Sequence, residues 1–349
     1  MGRRSHPAEE RLLIGLCLGV SDADALAGAD TDLLSDLAAR LSVESYVLNV
    51  LGPRQQRLGP REAAWLAGLR QQVSSSAIQN LLRDEELSQA LARLAGEEID
   101  LVLLKGAALR VERQDMAGRY QCDVDVLVRR PDLERAEALL CGMGFRLDDS
   151  FKDREALLNE HFHFGFERRG AVVEVHWDLD AHSPPGFLDR FWTGSRPVEW
   201  EGRGFRVPSP EHQLLFGCLH LSRHKFFAGL RWLADLALHL PLSPEVRGRF
   251  EKEAAAWPQR AVYCPLWVLS CFGVPGAEEL GAGFEVELVE RTVLRRLLPA
   301  LLVAEPWLGL PGWRAGNALH EWLFSEQPLL PLLAEVSREG ISRKLQAWG

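Results

Sequence analysis

Hydrophobic and polar positions change their period twice along this chain. From Pro7 to Gly96 the apolar residues recur at helical spacing, most clearly over Thr31–Leu51 and Pro60–Leu94, with breaks at Gly52-Pro53 and Gly59-Pro60. The stretch Glu85–Leu94 sets charges on one side against Leu87, Leu91 and Leu94 on the other. Between Glu97 and Pro208 the pattern alternates short apolar runs with helical stretches. Ile99–Leu104 reads as a buried strand, Cys122–Val128 as a strand of alternating faces, and Pro131–Met143 as a helix with proline in its first turn. Phe145–Leu147 is a candidate short strand. His161–Glu167 alternates, turns at Arg169-Gly170 and returns through Ala171–Trp177, which predicts a hairpin; Val198–Val207 reads as a second, smaller one. Beyond Pro208 helical periods resume over Pro210–Phe227, Leu230–Leu240, Pro244–Trp257 and the apolar runs that follow. The expected fold is therefore α+β: a small mixed sheet with flanking helices over 97–208, between helical regions at 1–96 and 209–349.

Composition narrows the classes without choosing one. With 349 residues the chain can bury a large core in about two domains, and 47% hydrophobic with 26% charged residues is ordinary globular usage. A net charge of −9 argues against a protein that coats nucleic acid. The six cysteines include no CxxC pair and sit mostly among apolar residues, which reads as buried thiols in a reducing cytoplasm. Arg3 and Arg4 precede the apolar run Leu12–Val20 as in a secretory signal, but Glu9 and Glu10 directly before it spoil that charge pattern. No apolar stretch approaches the ~18 uncharged residues of a spanning helix.

Chemistry concentrates between Ile99 and Val128. The first strand runs into Lys105-Gly106-Ala107-Ala108-Leu109, a strand-to-helix turn whose amides and helix dipole suit a phosphate. In Cys122-Asp123-Val124-Asp125-Val126, the two aspartates share a face while the valines enter the core. Neighbouring carboxylates in an apolar strand destabilise the fold unless a cation neutralises them, and such pairs suit Mg2+ with substrate phosphates. A phosphate cradle before a divalent-metal site is the logic of phosphoryl or nucleotidyl transfer. Glu174 sits between valines on a later strand. His176 shares its face, and either positions Glu174 or is structural. His220 and His224 stand four residues apart on a helix, as in a zinc helix, but with no glutamate between them and no clear third ligand zinc is the weaker reading.

Lys-Gly-Ala-Ala-Leu, Arg119 four residues before an Asp-x-Asp, the Pro131 helix start, Glu174, Pro210-Glu211-His212, His220 and Leu230–Asp235 together resemble the uncharacterised branch of the polymerase-beta-like nucleotidyltransferase superfamily. That resemblance covers roughly Leu101 to Leu240. It implies a nucleotidyltransferase-type sheet and transfer of a nucleoside monophosphate from an NTP such as ATP to an acceptor, with release of pyrophosphate. Asp123, Asp125 and Glu174 would be catalytic acids holding two Mg2+ (or Mn2+) ions, with Glu174 also helping to deprotonate the acceptor. Lys105, Gly106, Ala107 and Arg119 would bind the nucleotide, although many relatives carry serine where Ala107 stands. His176, His220, Arg231 and Asp235 would be supporting or acceptor-side residues. The acceptor would be a small molecule, peptide or protein rather than nucleic acid, in a branch often associated with peptide natural products. A degenerate nucleotide-binding protein of the same fold is the alternative.

Overall fold

The computed structural model describes residues 7–113, 123–147, 158, 161–181, 183–282, 284, 287–303, 309–325 and 329. Arg119 and Cys122 lie outside these described residues. Two compact units emerge: the stretch Val73–Gln213, and a second unit made from both chain ends, Met1–Gln72 with Leu214–Gly349.

The chain opens with helices α1 (Pro7–Cys17), α2 (Thr31–Leu41), α3 (Glu44–Leu51) and the long α4 (Pro60–Gly96). Asp30 caps α2 by accepting from the amides of Asp32 and Leu33, both at 3.1 Å, and so satisfies two donors that a helix start leaves open. Then follow β1 (Leu101–Leu103), α5 (Lys105–Glu112), β2 (Asp123–Val128), α6 (Leu133–Gly142), β3 (Arg146–Leu147), β4 (His163–Arg168) and β5 (Ala171–His176). Helix α7 (Phe187–Gly194) and the hairpin β6 (Arg196–Trp200) and β7 (Arg203–Val207) complete the mixed part. The remaining described elements are α8 (Pro210–Arg223), α9 (Leu230–Ala237), α10 (Pro244–Ala254), α11 (Gln259–Cys271), α12 (Ala277–Gly281), α13 (Leu288–Leu302) and α14 (Gly309–Phe324). The α+β expectation holds, and both expected hairpins form. Each turns on two residues of positive φ, Arg169-Gly170 (50° and 77°) and Glu201-Gly202 (50° and 72°), the backbone that matches strand twist. Helices α8 to α10 end about three residues earlier than their apolar patterns do. After α8 the chain turns through the left-handed residues Lys225, Phe226 and Ala228.

One seven-stranded sheet, in the order β3-β4-β5-β2-β1-β7-β6, forms the middle of the Val73–Gln213 unit. β2 is antiparallel to β1 and parallel to β5, while β4 and β5 are antiparallel. One face of the sheet is apolar. Leu101, Leu103, Val124, Val126, Phe164, Phe166, Val173 and Val175 pack there with Leu87, Leu91 and Leu94 of α4 and with Leu133, Ala136 and Leu140 of α6. Full burial of each such side chain contributes about 1.5–3 kcal/mol. Because strand residues alternate, anchoring this face in the core obliges Asp123, Asp125, Glu174 and His176 to project from the other.

In the helical unit α1 packs on α2, α3 and α9, and α11 packs on α12 and α14. The Tyr46 hydroxyl donates to the Asp235 carboxylate, tying α3 to α9. No helix among the described residues is long and apolar enough to cross a membrane.

Candidate active site

Strand register assembles the site. β2 and β5 run parallel with Asp125 beside Glu174 and Leu127 beside His176; the β4–β5 hairpin adds His163 beside His176 and Gly165 beside Glu174. The polar face thus carries three rows: Leu127–His176–His163, then Asp125–Glu174–Gly165, then Asp123–Val172–Glu167. Asp125, Glu174 and His176 converge, each offering one ligand atom, with these atoms all within 4.8 Å of one another. Asp123 shares their face but stands one row away, opposite Val172.

Lys105 reaches into this cluster. The Leu104 amide donates to the Asp125 backbone carbonyl at 2.9 Å, which pins the strand end beside the acids. Lys105 follows with φ of +47°, a left-handed conformation that is strained for a lysine. Its Nζ donates to Asp125 Oδ1 at 2.5 Å and lies 3.5 Å from Glu174 Oε2. Burial by itself would lower the Lys105 ammonium, but the carboxylates of Asp125, Glu174 and Asp123 outweigh it and hold the group above its ordinary value. Burial pushes the Glu174 carboxyl up, but the hydrogen bond from His176 and the Lys105 charge overcome this. Glu174 therefore lies well below the usual carboxylate range.

His176 is fully buried, with Nε2 3.0 Å from Asp125 Oδ1 and 3.5 Å from Glu174 Oε2. Its Nδ1 is buried with no hydrogen-bond partner among the described residues. With the proton on Nε2, the ring donates to Asp125 and leaves a lone pair unmatched inside the protein. With the proton on Nδ1, the Nε2 lone pair faces two carboxylates and is free to join them in holding a cation. The donor set fits a divalent ion, and the imidazole among its oxygens favours Mn2+ more than Mg2+.

His163 stacks on His176 with centroids 4.8 Å apart and planes at 24°. Burial, then the neighbouring His176, lower its pKa from 6.5 to about 4. A folded value below the unfolded one means that the unfolded chain binds more protons between those two pH values. This contribution to stability is therefore complete above about pH 6.5 and is lost as pH falls toward 4. Replacing His163 with Phe, which keeps the stacking, should flatten that loss by at most about 3 kcal/mol. Urea denaturation at pH 7 and pH 4.5 checks it, and equal pH dependence in both proteins would acquit His163.

The phosphate turn has its own geometry. The amides of Ala107 and Ala108 already donate to the Leu104 carbonyl at 3.1 and 3.2 Å, so a phosphate there must draw on the amides before them. The Ala107 side chain is 4% exposed and belongs to the hydrophobic core, where a serine hydroxyl would meet valines and leucines. Beside Glu174 a cavity of about 940 Å3 opens, bordered by His161, His163, Gly165, Arg146 and Glu167. Within the helical unit, His220 and His224 form a ring cluster with Trp232, Arg231 lies over Trp232 at 6.0 Å, and Asp235 accepts from Tyr46.

Residues 27–272 match the family model described as an uncharacterised nucleotidyltransferase. The chain belongs to this family. No curated protein matches it. Among solved structures it is similar to the antibiotic-resistance factor ANT(2'')-Ia, known from a solution structure, at 14% identity over 57% of this chain and 89% of that one, with a TM-score of 0.31. Membership accounts for the expectation drawn from the Lys-Gly-Ala turn and the Asp-x-Asp strand. Two members of the cluster were not assigned their present places by sequence. Lys105, expected at phosphates, lies on the acids. His163, read only as a strand residue, was reachable: a two-residue turn at Arg169-Gly170 pairs Arg168 with Ala171, and counting back sets His163 opposite His176.

Proposed function

We propose that this family member is a metal-dependent nucleotidyltransferase that moves a nucleoside monophosphate from an NTP, ATP among them, to an acceptor and releases pyrophosphate. The observation that carries this reading is the convergence of Asp125, Glu174 and His176 from two parallel strands next to a strand-to-helix turn. Asp125 and Glu174 would hold a divalent ion, with His176 as a third donor and Asp123, on the same face, as the donor for a second. Such an ion, when bound, supplies positive charge at the phosphoryl centre under attack. Gly106, at the opening of α5, gives the triphosphate a close approach to backbone, and Arg119 is a further candidate phosphate partner. The cavity beside Glu174 is the place assigned to the acceptor, a small molecule, peptide or protein, because Glu174 borders both the cavity and the acids. Incubation with each labelled NTP, Mn2+ or Mg2+ and candidate acceptors should release pyrophosphate and label one acceptor class. A wild type that binds NTP yet never releases pyrophosphate would instead favour a degenerate binding protein, a reading the Lys105–Asp125 ion pair supports.

The turn can be tested separately. A side chain branched at its β-carbon would fill space the phosphates need, so Gly106→Val should abolish NTP binding. Ala107→Ser should leave NTP affinity unchanged and lower stability by about 1–2 kcal/mol, because its hydroxyl would be buried among apolar groups. Equilibrium dialysis with labelled nucleotide and a denaturation curve read both. Undiminished binding by Gly106→Val would remove the turn from the site.

A further inference from the structure

The ammonium of Lys105 and the imidazole of His176 address the same two oxygens. Lys105 Nζ lies 2.5 Å from Asp125 Oδ1 and 3.5 Å from Glu174 Oε2, and His176 Nε2 lies 3.0 and 3.5 Å from those same atoms. A divalent ion joined to both oxygens would sit about 2.0–2.2 Å from each. No room is left there for a second positive charge, and a protonated amine has no lone pair with which to join the coordination shell. We propose that Lys105 and a divalent cation are alternative occupants of the Asp125–Glu174 site, so that loading the ion expels the lysine from the acids. This rests on the metal-site reading above and adds to it a built-in competitor.

The chain is suited to the exchange. Lys105 opens α5, so its long, flexible side chain can swing away while the helix stays anchored by Ala107 and Ala108 in the core. An expelled ammonium beside the turn needs an anion, and the phosphates of a bound nucleotide would supply one. Cation affinity without nucleotide should accordingly be held down by the lysine. The arrangement also explains how two carboxylates and a buried histidine share one patch of sheet: the internal ammonium neutralises charge that would otherwise repel.

The wild-type protein can report this directly. The chain has five lysines, and Lys252 is exposed on α10 as an internal reference. Acetylation by acetic anhydride, read by peptide mass spectrometry, should rise several-fold at Lys105 when Mn2+ saturates the protein, while Lys252 stays constant. Alongside, Lys105→Met should bind Mn2+ at least about tenfold tighter than wild type in an electron-spin-resonance titration, with circular dichroism confirming the fold. Recovery of a destabilised Lys105→Met by Mn2+ would support the exchange equally. Unchanged Lys105 labelling at Mn2+ saturation, or a folded Lys105→Met that binds no tighter, would overturn it and leave the metal site intact. Failure of both wild type and variant to bind Mn2+ would overturn the metal site itself, and the exchange with it.

Discussion

Glu174→Gln should lower nucleotidyl transfer by roughly two powers of ten or more while leaving NTP binding in place. Glutamine keeps the size of the side chain and its position beside Asp125 in the strand register, so the sheet has no reason to change. What disappears is the negative charge. That charge is firmly held, because His176 and Lys105 keep Glu174 ionised far below the range in which carboxylates usually titrate. A carboxylate so stabilised is a weak proton acceptor and a good cation ligand. On the proposed reading, Glu174 is therefore expected to hold an ion more than to deprotonate the acceptor. Steady-state transfer rates, with nucleotide affinity measured separately, check the expectation. Near-normal turnover would return Glu174 to the status of a strand residue.

Asp125→Asn is expected to lose divalent-ion binding altogether and to destabilise the protein by about 3 kcal/mol, even in chelator. Reasoning from two like charges in an apolar strand suggests the opposite sign for stability, since removing one relieves repulsion. The geometry reverses the sign. Asp125 is 4% exposed, accepts from Lys105 and lies 3.0 Å from His176 Nε2. Neutralising it takes from a half-buried ammonium its nearest carboxylate, while Glu174 lies farther off at 3.5 Å. Calorimetric Mn2+ titration and a chelator-treated urea curve address the two halves independently. Retained ion affinity would mean that Asp123 and Glu174 form the binding pair instead.

Much of this arrangement was legible before any coordinates. The alternation of Asp123-Val124-Asp125-Val126 assigned both faces of β2, because one apolar face in the core fixes the other. The Arg169-Gly170 turn between two alternating runs gave the hairpin, although the pairing of His163 with His176 that follows from it was not drawn. The parallel pairing of β2 with β5 was not readable: the strands are separated by α6, β3 and β4, and nothing local encodes which edge a returning strand joins. That pairing places Glu174 next to Asp125 rather than Asp123. Nor could the spacing reveal the strained backbone of Lys105, directly after Leu104, whose amide is fastened to the Asp125 carbonyl. Ala107 was measured against a serine that would face phosphate, when its burial makes it a packing residue.

The division of the chain into one continuous unit and one assembled from both ends bears on how the protein is born at the ribosome. Residues 73–213 leave the exit tunnel as an uninterrupted stretch holding every strand of the sheet, so this unit can close without waiting for anything downstream. The first helices must wait, because Tyr46 meets Asp235 only 189 residues later. At roughly 5–20 residues per second, that delay is on the order of ten seconds or more. Throughout it, the apolar flanks of α1 and α3 remain a nascent, half-finished surface that a chaperone could shelter, while the nucleotidyltransferase sheet is already complete.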